Sequence, residues 1–270
     1  MPPVSRARVF HVGHSLVNHD MPRMLEQVAL EAGRDHAYAV QIINGANLQW
    51  QWNNSASAEG EDARAVLPQG NHDVLVITEA VPLDNHLTWS DTEEFAGRFH
   101  ALAVDANPDV RVFLYETWHC ILSGTSTGCD WDDGDDVPWR ERLTQDAARW
   151  QGIADHVNAN HEGPEMRIIP AGQAMAVLHD RIAEGGVYGL DDISQIFLDD
   201  IHLTAIGNYF VAMVHYASIY RRSPVGLPVQ TTDRWETPYE APLEPLAWSL
   251  QEIAWEVVSG DPAYGVARPD

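Results

Sequence analysis

The sequence predicts a three-layer α/β/α fold, in which helices cover both faces of a central, mostly parallel sheet. Short apolar segments alternate along the chain with longer segments of helical periodicity, which is typical of parallel strands joined by crossover helices. Residues 74–77 are only Val, Leu and Ile, as expected of a strand buried on both faces. A chain of 270 residues is long enough to bury such a core.

The elements follow in order from these patterns. Five apolar, β-branched segments are predicted strands: residues 8–12, 38–42, 73–77, 110–115 and 166–169. The segments between and after them are predicted helices: residues 20–32, 90–107, 138–157, 174–183 and 205–220. The first helix illustrates the signals, because Asp20 and Pro22 are typical of a helix start and Gly33 of a helix end. The polar and aromatic residues 49–55 are predicted to form a loop.

The chain divides into a main domain, residues 1–222, and a C-terminal extension, residues 223–270. The extension begins with a Pro-rich stretch and continues with a predicted helix at 245–259. Leu246, Leu250 and Ile253 fall on one face of that helix, which must be buried somewhere. We expect it to pack on the main domain; a dimer contact is the alternative, and the oligomeric state is left open.

Charge excludes several classes of partner. The chain carries 40 acidic and 16 basic residues, a net charge of −24, and every basic residue is Arg. Such a surface repels nucleic acid and anionic membrane, so neither is an expected partner. No apolar run reaches the length of a membrane span, and no secretory signal is recognisable at the start. The expected location is therefore the cytoplasm, with an exported mature form as the alternative.

Two features of the segment after residue 115 leave alternatives open. Cys120 and Cys129 are near enough in sequence for a disulfide, but free thiols in a reducing compartment are an equal alternative. The acidic run 130–136 resembles a calcium loop, but it lacks the EF-hand order and its closing Glu. In so acidic a chain a solvated loop is favoured, and no metal is expected.

Candidate catalytic residues lie at two distant points. Ser15 follows the first predicted strand, and Asp199 stands three residues before His202, ahead of a long helix. A serine hydroxyl is a poor nucleophile unless an imidazole takes its proton and a carboxylate orients that imidazole. Asp200 is the rival carboxylate. Because strand ends meet at one edge of a parallel sheet, folding can bring these residues together.

These segments resemble the SGNH hydrolases, also called GDSL-type esterases and lipases. Their first block, G-[DN]-S-[LF], corresponds to Gly13-His14-Ser15-Leu16, and their last block, D-x-x-H-[LP], to Asp199 through Leu203. Gly45 corresponds to the glycine of their second block. The third block, G-x-N-D, is missing, because Thr78-Glu79-Ala80-Val81 stands in its place. The resemblance spans roughly residues 8 to 221.

The resemblance implies a flavodoxin-like α/β/α fold and a set of residue roles. Ser15 would be the nucleophile, His202 its base and Asp199 the residue that orients His202. The backbone amides of Ser15 and Gly45 would bind the oxyanion, and Asn85 is a candidate for the missing third donor. No cofactor is implied.

Aromatic residues in the predicted loops point to the substrate. The chain has 10 Trp, and several stand beside Gln, Asn or Asp, a composition that suits the C–H faces and hydroxyls of a carbohydrate. Packing between loops and sheet is the alternative explanation. Four residues near the strand ends are predicted substrate contacts: His14, Glu79, Trp118 and Trp50.

Together these features predict a serine esterase that hydrolyses small acyl esters, with a carbohydrate O-acetyl group as the favoured substrate. A lipase or thioesterase would need an apolar acyl groove, and an acyltransferase would use the same triad while excluding water. A non-catalytic carbohydrate-binding protein on the same fold is the remaining alternative, because the third block is altered.

Overall fold

The computed structural model describes residues 3–134 and 136–266, and in them six strands form a single sheet. The strands are β1 (Arg6–Gly13), β2 (Asp35–Ile42), β3 (Glu59–Gly60), β4 (Val74–Ile77), β5 (Arg111–Glu116) and β6 (Met166–Pro170). Their spatial order is β3-β2-β1-β4-β5-β6. Only the short β3 is antiparallel to its neighbour, and the other pairings are parallel. The predicted mostly parallel sheet is therefore confirmed.

Helices cover both faces of this sheet. Their bounds are α1 (Asp20–Glu31), α2 (Leu48–Asn53), α3 (Ala63–Val66), α4 (Leu83–Trp89), α5 (Thr92–Ala106), α6 (Trp139–Asn160), α7 (Ala171–Ala183), α8 (Ala205–Tyr220) and α9 (Glu244–Gly260). Among these described helices none is long and apolar enough to cross a membrane.

Alternating strand residues supply two separate cores. In β4, Val74 and Val76 belong to the core under α1, α7, α8 and α9, whereas Leu75 and Ile77 belong to the core under α5 and α6. Successive side chains of a strand point to opposite faces, so each buried strand contributes to both cores. This arrangement is the three-layer α/β/α architecture that the sequence predicts.

The helix of the C-terminal extension is part of the first core. α9 packs against α7 and α8, and Leu250 and Ile253 are fully buried there. Gln251 ties it to the preceding segment, because its Nε2 donates to Leu227 O at 2.9 Å and its Oε1 accepts from Gly226 N at 2.8 Å. Packing within the chain thus accounts for the apolar face of α9. The boundary at residue 222 stays a prediction.

Residues 49–55 differ from the expected loop. α2 occupies Leu48–Asn53, and the Asn47 side chain caps it by accepting from Trp50 N at 2.8 Å. Gln51 stabilises the helix from the interior, since it is fully buried and its backbone and side-chain oxygens both accept from Gln41 Nε2. The Asn47 cap and the buried Gln41–Gln51 pair therefore stabilise a helix in a segment whose composition is typical of loops.

The long segment between β5 and α6 is cross-linked. Cys120 and Cys129 form a disulfide, with a Cα–Cα distance of 6.5 Å. Asp132 is buried and accepts two hydrogen bonds from Arg142, at 2.6 and 2.7 Å. The expectation of a fully solvated acidic loop is therefore wrong for Asp132, because a bidentate arginine compensates its burial. Asp135 lies outside the described residues.

Truncating the buried face of α9 should cost as much as truncating any core residue. Leu250→Ala is expected to lower the free energy of unfolding by about 2 to 5 kcal/mol, because Leu250 is fully buried. The matched control is Trp248→Ala on the exposed face of the same helix, with a change of about 0.5 kcal/mol or less. Urea unfolding followed by circular dichroism measures both. Equal small losses would contradict the packing described for α9.

Candidate active site

The turn after β1 places Ser15 at the carboxyl edge of the sheet. Val17 N donates to His14 O at 2.9 Å, which closes the turn around Ser15. Gly13 allows the close packing beneath it, because a Cβ atom there would lie 2.5 Å from Val17 Cγ2 and 2.8 Å from Thr78 Cγ2. Ser15 is therefore presented, half-buried, on a tight turn whose backbone is fixed from both sides.

The turn before α8 places His202 opposite Ser15. Phe197 and Leu203 form an antiparallel bridge, and Leu198 N donates to His202 O at 2.7 Å. Thr204 caps α8, accepting from Gly207 N, so the helix begins directly after this turn. The backbone of His202 is thus held by a bridge on one side and a helix start on the other.

Ser15, His202 and Asp199 form a continuous chain of hydrogen bonds. His202 Nε2 lies 2.9 Å from Ser15 Oγ, and His202 Nδ1 lies 2.8 Å from Asp199 Oδ2. The other carboxylate oxygen of Asp199 accepts from the amides of Ile201 at 2.9 Å and His202 at 2.7 Å. With Asp199 accepting at Nδ1, the tautomer that carries its proton there leaves Nε2 free to accept from Ser15.

Asp199 is suited to remain ionised. Its partial burial opposes ionisation, but the hydrogen bonds from the His202 amide, the His202 ring and the Ile201 amide outweigh it and lower the pKa. The rival carboxylate points elsewhere, because Asp200 Oδ2 accepts from Trp131 Nε1 at 3.0 Å. Of the two, Asp199 is the residue that contacts the imidazole.

A pocket of about 170 Å³ opens beside the Ser15 hydroxyl. Its walls include Ser15, Gly45, Ala80, Val81, Trp131 and His202. Within the described residues, the backbone amides of Ser15 and Gly45 donate no hydrogen bond. Gly45 has a φ of +69°, a conformation that favours glycine. Two unengaged N–H groups at the pocket wall are the donor set that a developing oxyanion requires.

A third donor is not found where the sequence suggested. Asn85 lies on α4 and does not line the described pocket. Asn47 is occupied as the cap of α2, and its Nδ2 donates to Ser90 Oγ at 2.9 Å. The role of Asn85 as a third oxyanion donor therefore has no support in the geometry.

His14 forms part of the pocket wall with both ring nitrogens engaged. Nε2 lies 3.0 Å from Glu79 O and must donate to it, while Nδ1 accepts from Leu16 N at 3.4 Å. Burial lowers the pKa of His14 to about 4, so the ring is neutral near pH 7. His14 joins the serine turn to the end of β4, and its polar atoms are not offered to a ligand.

Glu79 is a structural carboxylate, and the expectation that it contacts substrate is wrong. It is fully buried, and its Oε1 accepts from Leu48 N at 3.0 Å and from Ala80 N at 2.7 Å. Its Oε2 accepts from Thr92 Oγ1 at 2.7 Å. Burial raises the pKa of Glu79 to about 7, although these hydrogen bonds act in the opposite direction. Glu79 thereby ties the pocket wall at Ala80 to the start of α2.

The tryptophans that line the pocket also differ from those predicted. Trp118 is fully buried, packs edge-on against Tyr115 and Phe197, and donates to Ile201 O at 2.8 Å. The prediction that Trp118 forms a substrate wall is therefore wrong, because its indole supports the His202 turn from beneath. Trp50 is exposed on α2 but does not line the described pocket. Trp131 does line it.

Sequence reasoning missed two residues of this region. Gln51 Nε2 donates to Gly13 O and to Ile43 O, which fixes the turns that carry Ser15 and Gly45. A glutamine in a polar, aromatic stretch gives no signal of this role. Trp131 stands two residues after Cys129, and a disulfide was the one signal that could have placed it beside the site.

One group of potential metal ligands lies close to the site. Among the described residues the one cluster of three is Cys120, Cys129 and Asp200. Because the two cysteines form a disulfide, they offer no thiolate to a metal.

Solved structures of other proteins resemble this chain to different degrees. A DUF4886 family protein from Bacteroides uniformis has a TM-score of 0.65 at 15% identity, covering 94% of this chain and 95% of that protein. A GDSL-like lipase from Parabacteroides merdae has a TM-score of 0.50 at 12% identity, covering 77% and 93%. A family 3 carbohydrate esterase from Clostridium thermocellum has a TM-score of 0.47 at 13% identity, covering 78% and 94%.

At such identities the likeness establishes the fold alone. The fold that the SGNH resemblance implies is also the fold of the GDSL-like structure. The match to the Bacteroides uniformis protein extends beyond residue 222, since it covers 94% of the chain. No family model matches the chain, and no curated protein sequence does.

The proton on Glu79 should make stability fall as pH rises. The folded protein holds this proton up to about pH 7, whereas the unfolded chain releases it near the usual 4.5. The stabilisation is therefore complete below pH 4.5 and is lost as pH rises toward 7. Between pH 5 and pH 8, the free energy of unfolding measured in urea should fall more steeply for the wild type than for Glu79→Gln.

Glu79→Ala tests the hydrogen bonds of Glu79 independently of its charge. This variant should lower the free energy of unfolding at both pH 5 and pH 8, because the amides of Leu48 and Ala80 lose their acceptor. Each lost acceptor is expected to cost about 1 to 3 kcal/mol. Glu31→Gln, an exposed carboxylate on α1, is the matched control. The same pH slope in wild type and Glu79→Gln would show that Glu79 does not titrate in this range.

Proposed function

We propose that the protein is a serine ester hydrolase. The observation that carries the proposal is the hydrogen-bonded chain from Ser15 through His202 to Asp199, with distances of 2.9 and 2.8 Å. The fold supports it, because ligand sites of parallel α/β sheets lie at the carboxyl ends of the strands. The unengaged amides of Ser15 and Gly45 at the adjacent pocket supply the oxyanion donors.

In the first half-reaction Ser15 Oγ attacks the ester carbonyl carbon while His202 Nε2 takes its proton. The carbonyl oxygen becomes an oxyanion that accepts from the amides of Ser15 and Gly45. Asp199, ionised under working conditions, stabilises the imidazolium. When the C–O bond to the alcohol breaks, His202 returns the proton to the departing alkoxide, which leaves an acyl group on Ser15.

In the second half-reaction water replaces the alcohol. His202 accepts a proton from the water while the water oxygen attacks the acyl carbon. The oxyanion of this second tetrahedral intermediate accepts hydrogen bonds from the same two amides. Collapse of that intermediate releases the acid and returns the proton to Ser15. An engaged third donor is not required by this scheme, although each donor typically contributes about 2.7 to 4 kcal/mol.

Short acyl groups attached to a carbohydrate are the proposed substrates. The pocket of about 170 Å³ is smaller than the roughly 300 to 1,000 Å³ typical of sites for drug-sized ligands. This size favours an acetyl group over a fatty acyl chain. Trp131 at the pocket wall supplies an aromatic face for a sugar ring.

The alternatives differ in measurable ways. A lipase or thioesterase on this site would gain rate with acyl length, and an acyltransferase would favour an alcohol acceptor over water. A non-catalytic carbohydrate-binding protein would bind sugars without turning over any ester. The bonded triad favours hydrolysis over the last of these, because a binding module needs no serine–histidine hydrogen bond.

Removing either end of the serine–histidine bond should abolish turnover. Ser15→Ala and His202→Ala are each expected to lower kcat for p-nitrophenyl acetate by about 10³-fold or more, since triad members act as a unit. Ser249→Ala on α9 is the matched control and should retain wild-type turnover. Unchanged melting temperatures would exclude unfolding as the cause. Wild-type turnover in either triad variant would refute the assignment.

The two neighbouring aspartates provide a second comparison. Asp199→Ala should lower kcat more than Asp200→Ala does, because only Asp199 contacts the His202 ring. The difference is expected to be about tenfold or greater, as the loss of an orienting carboxylate costs up to about 10⁴ in related chemistry. The reverse order would identify Asp200 as the functional carboxylate.

Acyl selectivity should fall with chain length. Acetate esters are expected to react faster than butyrate esters, with octanoate esters slowest, because the pocket lacks room for a long chain. A fatty-acyl groove would instead add about 0.8 kcal/mol of binding per buried methylene. Measuring kcat/KM across a p-nitrophenyl ester series tests this, and rates that rise toward octanoate would favour the lipase-like alternative.

A further inference from the structure

Trp131 is an exposed indole held beside the nucleophile. Its side chain lines the pocket together with Ser15 and His202, yet 42% of the residue remains accessible to solvent. An exposed tryptophan would ordinarily be free to rotate. Here the indole Nε1 donates to Asp200 Oδ2 at 3.0 Å, so one edge of the ring is bonded while much of the residue stays exposed.

The backbone around Trp131 is fixed on both sides. Two residues before it, Cys129 is joined to Cys120 by the disulfide. Directly after it, Asp132 is buried against Arg142, and Asp132 N donates to Cys129 O at 2.9 Å. These contacts hold the ring in one position before any ligand arrives. Pre-organised aromatic contacts bind ligands at a smaller entropic cost than mobile ones do.

The partner of this indole belongs to the same turn as the proposed base. Asp200 lies between Asp199 and His202, and its backbone oxygen accepts from Ile121 N at 2.8 Å. Two hydrogen bonds therefore join the His202 turn to the disulfide-linked segment, one through the Asp200 backbone and one through its side chain. This arrangement fixes the side of the pocket on which Trp131 stands.

That side is where the alcohol of an ester must lie. His202 Nε2 gives its proton to the leaving alkoxide, so the alcohol has to face the histidine turn. The carbonyl oxygen faces the amides of Ser15 and Gly45. Trp131 is bonded to the histidine turn and therefore flanks the alcohol half of the substrate, while the acyl group occupies the remainder of the pocket.

We propose that Trp131 is the specificity-determining residue of the site, and that its open face binds the ring of a neutral sugar in the alcohol half of the ester. This inference rests on the proposed function. Sugar rings carry C–H faces that pack on indole, and the exposed carboxylates of Asp130 and Asp133 flank Trp131 in the sequence. The same carboxylates, in a chain of net charge −24, disfavour anionic sugars.

The test compares two acetate esters that differ only in the alcohol. One is an acetylated methyl glucoside, which has a sugar ring, and the other is ethyl acetate, which has none. Trp131→Ala is expected to lower kcat/KM for the sugar ester by tenfold or more, chiefly through KM, and for ethyl acetate by less than threefold. Trp131→Phe, which keeps an aromatic face, should fall between Trp131→Ala and wild type for the sugar ester.

Asp200 provides the test of ring position. Asp200→Ala removes the acceptor of the indole N–H and should reproduce the loss seen in Trp131→Phe, whereas Asp200→Asn keeps an oxygen acceptor and should restore sugar-ester turnover. Trp235→Ala is the matched control, since that tryptophan is 71% exposed and does not line the pocket. An acetylated glucuronate should react more slowly than the neutral sugar ester in the wild type.

The outcomes separate this inference from the function on which it rests. Equal losses for both esters in Trp131→Ala would overturn it, since the indole would then act on the triad. A larger loss in Trp50→Ala than in Trp131→Ala would also overturn it and assign the sugar to α2. Ethyl acetate turnover that survives Ser15→Ala would instead refute the proposed function, whatever Trp131 does.

Discussion

The hydrogen bond between Ser15 Oγ and His202 Nε2 joins side chains 187 residues apart, and much of the fold serves to set its length. Ser15 follows β1, which is central in the sheet. His202 precedes α8, which packs against β1 and α1. Neither residue can move without disturbing a strand end or a helix start. The proposed nucleophile and base are therefore positioned by packing rather than by local loop preference.

A second layer of contacts fixes the turns around that bond. Gln51 bonds to the Gly13 and Ile43 carbonyls, Glu79 joins Ala80 to Leu48, and Trp118 supports Ile201. These polar groups are buried, so each would be costly without its partner. Together they build the pocket wall. Where the SGNH resemblance would place its third block, the chain carries a carboxylate that organises backbone rather than an amide that faces a ligand.

The sequence predicted five of the six described strands and the long helices, and it singled out Ser15, His202 and Asp199, because each carries a local signal. A short, entirely apolar run marks β4, start and end signals mark α5, and the D-x-x-H spacing marks Asp199 and His202. The aromatic residues had no such signal. Trp118 and Trp131 both follow β5 in segments predicted as loop, yet one is buried and the other exposed. Trp118 is placed by Tyr115, Phe197 and Ile201, and the segment of Trp131 by the disulfide and the Asp132–Arg142 pair, all of which are tertiary contacts.

The most direct measurement of the central claim is covalent labelling of the intact protein by diisopropyl fluorophosphate, followed by peptide mass spectrometry. Ser15 Oγ would displace fluoride from phosphorus, with His202 Nε2 taking the hydroxyl proton as in the proposed acylation. The predicted result is one adduct per chain, on the peptide that contains Ser15, with labelling abolished in Ser15→Ala and greatly slowed in His202→Ala. An unlabelled folded protein, or an adduct on a different serine, would contradict the account.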